Sequence, residues 1–333
     1  MNETNLQIRL ARRPEGAPQP GDFSLVETAP PDMAPGEVLV RHRYLSLDPY
    51  MRGRMDDAKS YAAAVGLGEV MQGQSVGQVV ASTVPGFAPG DWVLGGQGWQ
   101  RLSAVPAGGL LKLDPEAAPL TAWLGVLGMP GTTAWVGTTR IAVPRPGETF
   151  VVSAASGAVG SVAGQIAKRM GARVVGIAGG PEKCAFVTDT LGFDDGVDHR
   201  AEDFPARLAA ACPEGIDVYF ENVGGAVQHA VWPLLRDFGR VAFCGMVAEY
   251  NTRPPAPGPS LMQVVRKRLS LRGFIVMDHP DAFAEWRRTG ARWLREGALQ
   301  YREDVVQGLE KAPDAFLGLL GGKNFGKLIV AID

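Results

Sequence analysis

Tyr250, the turn from Ala155 to Gly160, and the basic residues Lys183 and Arg200 are the positions in this 333-residue sequence best able to carry chemistry. The turn reads Ala155-Ser156-Gly157-Ala158-Val159-Gly160, a G-x-G-x-x-G pattern with Ala in its first place. At Gly157 the missing Cβ lets a pyrophosphate approach the backbone. At Gly160 it lets a helix pack closely on a strand, with free N–H groups facing the anion. Such a hexapeptide is informative only between a strand and a helix. Here it follows the apolar run Phe150-Val151-Val152 and precedes Val162, Ile166 and Met170 at helical spacing, with Lys168, Arg169 and Gly171 as stop signals. Dinucleotide binding is therefore the expected role.

The residues further on discriminate between cofactors. A site for NAD places a carboxylate on the ribose 2′-OH about 20 residues past the glycines. The corresponding strand here ends in Ala178-Gly179-Gly180, with no acid, and Lys183 and Arg200 follow as cations for a 2′-phosphate. NADP(H) is thus the expected cofactor. The plainer alternative for Lys183 is a solvated lysine at a helix start, with Glu182 a discordant neighbour. Asn222, in Glu221-Asn222-Val223-Gly224-Gly225, can bond a ribose or a nicotinamide amide, or simply form the turn. Gly245, after Cys244, leaves room for a nicotinamide ring. The Tyr250 phenol stays protonated at neutral pH and can donate to a developing enolate oxygen. Tyr250 as an ordinary loop tyrosine is the alternative. Tyr50, in LSLDPYMRGRM, is a pocket aromatic or barrel core.

These positions need elements to hold them. Up to about residue 120, short alternating or apolar runs (LQIRLA, FSLVETA, EVLVRHRYLSL, GQVVAS, DWVLGG, WQRLSAV) are separated by turn formers, which predicts a small antiparallel barrel. Residues 57–68 read as a mobile loop. TAWLGVLGMPGTTAWV, 121–136, reads as a helix, a Met-Pro-Gly break and a second helix, a hinge between domains. Strands at 150–152, 173–178, 216–221, 239–244 and 271–277 then alternate with helical patterns, as in a doubly wound parallel sheet. A helix beginning near Asp278-His279-Pro280 places Phe283, Trp286, Trp293 and Leu294 on one stripe. The terminal LIVAI is a strand expected to rejoin the barrel.

Composition excludes several classes. A net charge of −2 without runs of like charge argues against nucleic-acid or membrane partners. No stretch approaches the roughly 20 apolar residues of a membrane helix, and the first residues lack the apolar core of a secretory signal. Cys184, Cys212 and Cys244 show no C-x-x-C spacing, and four scattered histidines build no local zinc cluster, so no metal is expected. A reducing, cytoplasmic setting follows. No Ser-His-Asp or Cys-His arrangement supports a hydrolase.

Taken together, SLDPYMRGRM, GMPGTTAW, AASGAVGSVAGQIAK, ENVGG, FCGM with EYN, and KNFGKLIV resemble the zinc-free medium-chain dehydrogenase/reductases over nearly the whole chain. Within them the likeness is to the prostaglandin, alkenal double-bond and curcumin reductases. It implies an α/β protein with a GroES-like β-barrel domain (1–123 and 294–333) and a Rossmann domain with a doubly wound parallel sheet (124–293). The implied activity is NADPH-dependent reduction of the carbon–carbon double bond of α,β-unsaturated ketones and aldehydes. By this resemblance Gly157, Ala158, Val159 and Gly160 hold the pyrophosphate, and Lys183 the 2′-phosphate. Asn222, the segment Cys244–Tyr250, Phe274, Ile275, Val276 and Asn324 line the remaining cofactor site, and Tyr250 steadies or protonates the substrate. His199, followed by Arg200, stands where the family often has a cofactor-contacting Tyr. A homodimer is the implied assembly. Rival readings are a quinone reductase or hydroxy-lipid dehydrogenase on the same scaffold, and a non-catalytic NADPH-binding protein.

Overall fold

The structure, a computed structural model, describes residues 4–96 and 98–332. Alternation builds its first part. In Glu37–Ser46 the side chains of Val38, Val40 and His42 are buried while their neighbours are less so, the period-two pattern of a strand with one covered face. The early strands are β1 (Asn5–Leu10), β2 (Phe23–Thr28), β3 (Glu37–Ser46), β4 (Ser75–Ser82), β5 (Trp92–Gly95), β6 (Leu102–Pro106) and β7 (Leu111–Leu113). β1 and β2 form an antiparallel hairpin, and β3 pairs antiparallel with both β4 and β6. A short helix, α1 (Met51–Arg54), begins directly after Tyr50. Residues 57–68 are irregular, as expected, yet not a free loop. Val65 is fully buried, and its N–H donates to the Arg54 carbonyl at 2.8 Å.

A 3₁₀ turn, Leu120–Leu124, precedes α2 (Met129–Val136). The break falls at residues 125–128, and Met129-Pro130-Gly131, expected as the break, instead form the first turn of α2, where the missing N–H of proline costs nothing. Strands and helices then alternate: β8 (Thr149–Ser153), α3 (Gly160–Arg169), β9 (Arg173–Ala178), α4 (Pro181–Ala185), β10 (Asp195–Asp198), α5 (Phe204–Ala211), β11 (Ile216–Glu221), α6 (Gly225–Val231), β12 (Leu235–Phe243), α7 (Met262–Lys267), β13 (Ser270–Gly273) and α8 (Pro280–Arg295). The six strands are parallel, in the order β10-β9-β8-β11-β12-β13. This is the doubly wound order, whose switch point lies between β8 and β11. β8 is buried along its whole length, which explains its unbroken apolar run.

Three strands depart from expectation. β10 is additional, because Asp195-Gly196-Val197-Asp198 offers one apolar side chain and no period. β12 starts at Leu235 rather than 239, through an irregular register opposite Ile216–Val218. β13 ends at Gly273 rather than 277, since Val276 leaves the sheet to pack with Val136 and Ala282. The chain closes with β14 (Glu303–Gln307), α9 (Ala312–Leu320) and β15 (Lys327–Ala331). β15 pairs antiparallel with β3, Val330 opposite Leu45, so the last strand does join the first sheet.

Two compact units result. One takes Met1–Leu124, Glu303–Asn324 and Leu328–Asp333; the other takes Gly125–Arg302 and Phe325–Lys327. Residues 294–302, assigned by sequence to the barrel domain, group with the second unit.

Candidate active site

The phosphate-side turn is built by close packing. The Gly157 N–H donates to the Ala154 carbonyl at 2.9 Å, and α3 starts immediately after Val159. A Cβ on Gly160 would stand 2.4 Å from that same carbonyl oxygen, so no side chain fits. At Gly157 the nearest atom to a Cβ would be 3.1 Å away, so the fold alone constrains this position less. Gly160 is the structural glycine of the pair, and Gly157 is the one left with room for a ligand. Ala158 and Val159 complete the turn at the start of α3.

At the switch point the ends of β8 and β11 are stitched together. Asn222 donates from its backbone N–H to Ser153 Oγ and from Nδ2 to the Ser153 carbonyl, both at 2.8 Å. Its amide oxygen and the second Nδ2 hydrogen are the groups it can offer a ligand. Beside it Glu221 is 0 % exposed, and its Oε1 accepts from Ser153 Oγ (3.1 Å), Tyr219 Oη (2.8 Å) and the N–H groups of Val223 (2.7 Å) and Gly224 (2.9 Å). Its Oε2 is buried without a hydrogen-bond partner. Burial pushes the carboxyl pKa up, against the opposing effect of these bonds. Ser153 and Glu221 were not among the expected site residues, and both hold the loop that carries Asn222.

The loop after β12 is tied to the same end. Cys244 and Gly245 donate to the Glu221 carbonyl, Val247 to that of Asn222 and Ala248 to that of Val223. Burial, with the charge of Glu221, pushes the Cys244 thiol up to about 12, so it is no nucleophile at neutral pH. A Cβ on Gly245 would stand 3.0 Å from the Tyr250 hydroxyl oxygen and 3.7 Å from the Asn222 carbonyl oxygen. Tyr250, Gly245 and Asn222 thus meet at the carboxyl ends of β11 and β12, where ligands bind in open α/β sheets.

A second cluster lies at the tip of β9. A Cβ on Gly179 would be 2.9 Å from His199 Nε2 and 3.0 Å from Arg200 Nε, so two basic side chains lie against a bare backbone. Asp198 Oδ1 accepts from the N–H groups of Gly180 (2.8 Å) and Arg200 (2.9 Å). Burial pushes the Asp198 carboxyl up, but these bonds and the neighbouring cations hold it below its ordinary value. The His199 pKa is lowered, first by burial and then by the Arg200 charge, with Lys183 a further contributor. The lowering favours the neutral imidazole. Arg200 and the His199 ring, set against a strand tip without side chains, are groups that could hold a 2′-phosphate.

Other expected residues fall elsewhere. The Phe274 ring packs edge-on against Phe220, with centroids 6.2 Å apart, and Val276 is buried in the helical core. Ile275 lies between them and accepts from the Asp278 N–H. In the first unit Tyr50 packs against the apolar core, its hydroxyl pKa raised by burial and by the Asp48 charge. Asn324 also belongs to that unit. Among the described residues no group of three or more His, Cys, Asp or Glu could hold a metal ion.

Two family models match: an N-terminal domain of oxidoreductase over residues 6–113, and a zinc-binding dehydrogenase over 158–294. The chain is 48% identical to the NADPH-dependent curcumin reductase of Escherichia coli (strain K12), covering 99% of this chain and 97% of that one. It is 38% identical to a tobacco (Nicotiana tabacum) NADP(+)-dependent 2-alkenal reductase, over 99% of this chain and 98% of the other. A crystal structure of CurA from Vibrio vulnificus in complex with NADPH superposes with a TM-score of 0.94 at 50% identity, covering 98% of this chain and 99% of that one. With the sheet order and the glycine turn, these matches place the chain in the medium-chain dehydrogenase/reductase family, in the group of the curcumin and alkenal reductases.

Proposed function

We propose that the protein is an NADPH-dependent reductase of the carbon–carbon double bond of α,β-unsaturated ketones and aldehydes. The observation that carries this reading is the Tyr250 hydroxyl set over Gly245 beside Asn222, at the carboxyl ends of β11 and β12. The names of its relatives, a curcumin and a 2-alkenal reductase that use NADPH or NADP(+), support it. NADPH, when bound, supplies the hydride that reaches the β-carbon of the enone.

The chain's own residues do the rest. Gly157–Gly160 receive the pyrophosphate at the start of α3, while Lys183, Arg200 and His199 surround the 2′-phosphate. Asn222, Cys244, Gly245 and the backbone of Phe274–Val276 border the nicotinamide half, with Asn324 as a further contact. As negative charge develops on the carbonyl oxygen, the Tyr250 hydroxyl donates to it, and a proton then reaches the α-carbon from Tyr250 or water. Tyr50 lines the substrate side. The first unit, residues 1–123 with the end of the chain, is the substrate domain, and the parallel-sheet unit the cofactor domain.

The protein acts in the cytoplasm, consistent with three unpaired cysteines whose thiols burial pushes up to about 11 or 12. It works as a homodimer on small carbonyl compounds, without nucleic-acid or membrane partners. The test is the loss of reduced-nicotinamide absorbance with a medium-chain enone, run beside NADH and beside a quinone. Oxidation with the enone, NADPH well ahead of NADH, is expected. Tyr250→Phe should lower turnover about a hundred- to ten-thousandfold, the usual contribution of one positioned proton donor, and leave NADPH affinity nearly intact. Turnover of the quinone alone would overturn the enone assignment. An unchanged Tyr250→Phe rate would remove the phenol from the mechanism.

A further inference from the structure

Three residues near the end of the chain, Phe325–Lys327, group with the second unit although the chain on either side groups with the first. The segment is fastened there. The Lys327 N–H donates to the Arg302 carbonyl at 2.9 Å, and the Lys327 stem lies against Gly125. Gly326 has φ +84° and passes so near Arg302 that a Cβ would stand 2.2 Å from the Arg302 carbonyl oxygen. With its backbone held, Phe325 is 9% exposed. Its ring meets Phe186 edge-on, with centroids 5.1 Å apart, and carries the Arg302 guanidinium 3.9 Å from its centre. The Lys183 ammonium lies 5.9 Å from the same centre.

We propose that Phe325 is a positioning residue for Lys183, and through it a determinant of the preference for the 2′-phosphorylated cofactor. The inference rests on the reading of Lys183 as the 2′-phosphate cation. A lysine ammonium sits on a flexible stem, and ordering it costs rotamer entropy when an anion binds. An aromatic face attracts the ammonium through its quadrupole and narrows the positions it visits. It adds no negative charge, so the lysine's attraction for phosphate is preserved, whereas a carboxylate in that place would compete. Phe186 and Arg302 in turn fix the plane of the ring. Neither the glycine turn nor the strand tip would reveal this part of the site, because Phe325 lies more than a hundred residues beyond both.

The test is a set of binary-complex dissociation constants for NADPH and NADH, measured by titration calorimetry without turnover. Phe325→Leu should weaken NADPH about five- to tenfold, within the usual strength of a cation–π contact, and leave NADH within about twofold. Phe325→Tyr should restore the original values. In a Lys183→Ala background Phe325→Leu should cause no further loss of NADPH. If Phe325→Leu does not fold, pentafluorophenylalanine at 325 keeps the ring's shape while reversing its quadrupole, and should weaken NADPH alone. Equal weakening of both cofactors would make Phe325 a packing residue. Unchanged NADPH binding in a folded Phe325 variant, with Lys183→Ala still weakening it, would overturn the proposal and leave the Lys183 reading intact. If Lys183→Ala changes neither cofactor, that reading fails and the proposal with it.

Discussion

Glu221 and His42 are both buried, both titratable, and opposite in what they do for the molecule. Glu221 gathers four donors on one oxygen and so ties β8, β11 and the Asn222 turn together. His42 sits inside the first sheet unit between two hydroxyls, Nδ1 2.6 Å from Ser75 Oγ and Nε2 2.7 Å from Ser103 Oγ. Burial lowers its pKa to about 4. Since the unfolded chain takes up this proton near pH 6.5 and the folded one does not, stability is lost as pH falls from 6.5 toward 4. The loss attributable to His42 is about 3 kcal/mol. Denaturant titrations across that range should show this slope in the wild type, and His42→Leu should lack it whatever its stability at neutral pH. Residue type and spacing single out Tyr250, Lys183 and Arg200 as candidates. They do not single out Glu221, Ser153 or Phe325, whose contacts come from neighbours distant in sequence.

At the scale of elements, the turn into α3 separates two kinds of glycine. A methyl group at 160 meets the Ala154 carbonyl at 2.4 Å, a contact with backbone that cannot rotate away. Gly160→Ala should therefore destabilise the parallel-sheet unit by roughly 1–3 kcal/mol, as overpacking does. Gly157→Ala should cost less stability than Gly160→Ala, its nearest contact being the same carbonyl at 3.1 Å, and should also lose cofactor affinity because the methyl group occupies the ligand's approach. Thermal melts beside NADPH titrations of the two variants check this. Equal stability losses would mean that the two glycines are not so divided. β8, β9 and β11 could be read from their apolar runs, since parallel strands are covered on both faces. β10 could not, having little apolar content, and the end of β13 was overrun because Val276 is apolar for a different core.

For the whole molecule, four of the ten exposed large apolar side chains among the described residues lie in the stretch 261–277 that flanks the edge strand β13. Leu261, Met262 and Val265, on or just before α7, are 69%, 56% and 72% exposed, and Met277, after the edge strand β13, is 64% exposed. Exposed apolar clusters beside an unpaired strand mark association surfaces, and a twofold pairing places the same patch on both copies. If two copies of the chain associate through this face, Val265→Glu should shift the mass seen by light scattering from two chains to one while leaving the helix content unchanged. A dimer that survives the change would place the interface elsewhere.

What the sequence determined by itself was local. A strand–turn–helix around Gly157 and Gly160, a strand tip without a carboxylate, and alternating strands and helices are all set by neighbours a few residues apart. Tertiary structure decided which distant side chains share a site. The Asn222 carbonyl meets Gly245 because β11 and β12 are adjacent and parallel, so their loops leave from the same end. Phe325 reaches Lys183 because the chain returns on its way to β15 and is held by Arg302. No period or motif encodes such meetings, since they depend on sheet order and on packing between segments far apart along the chain.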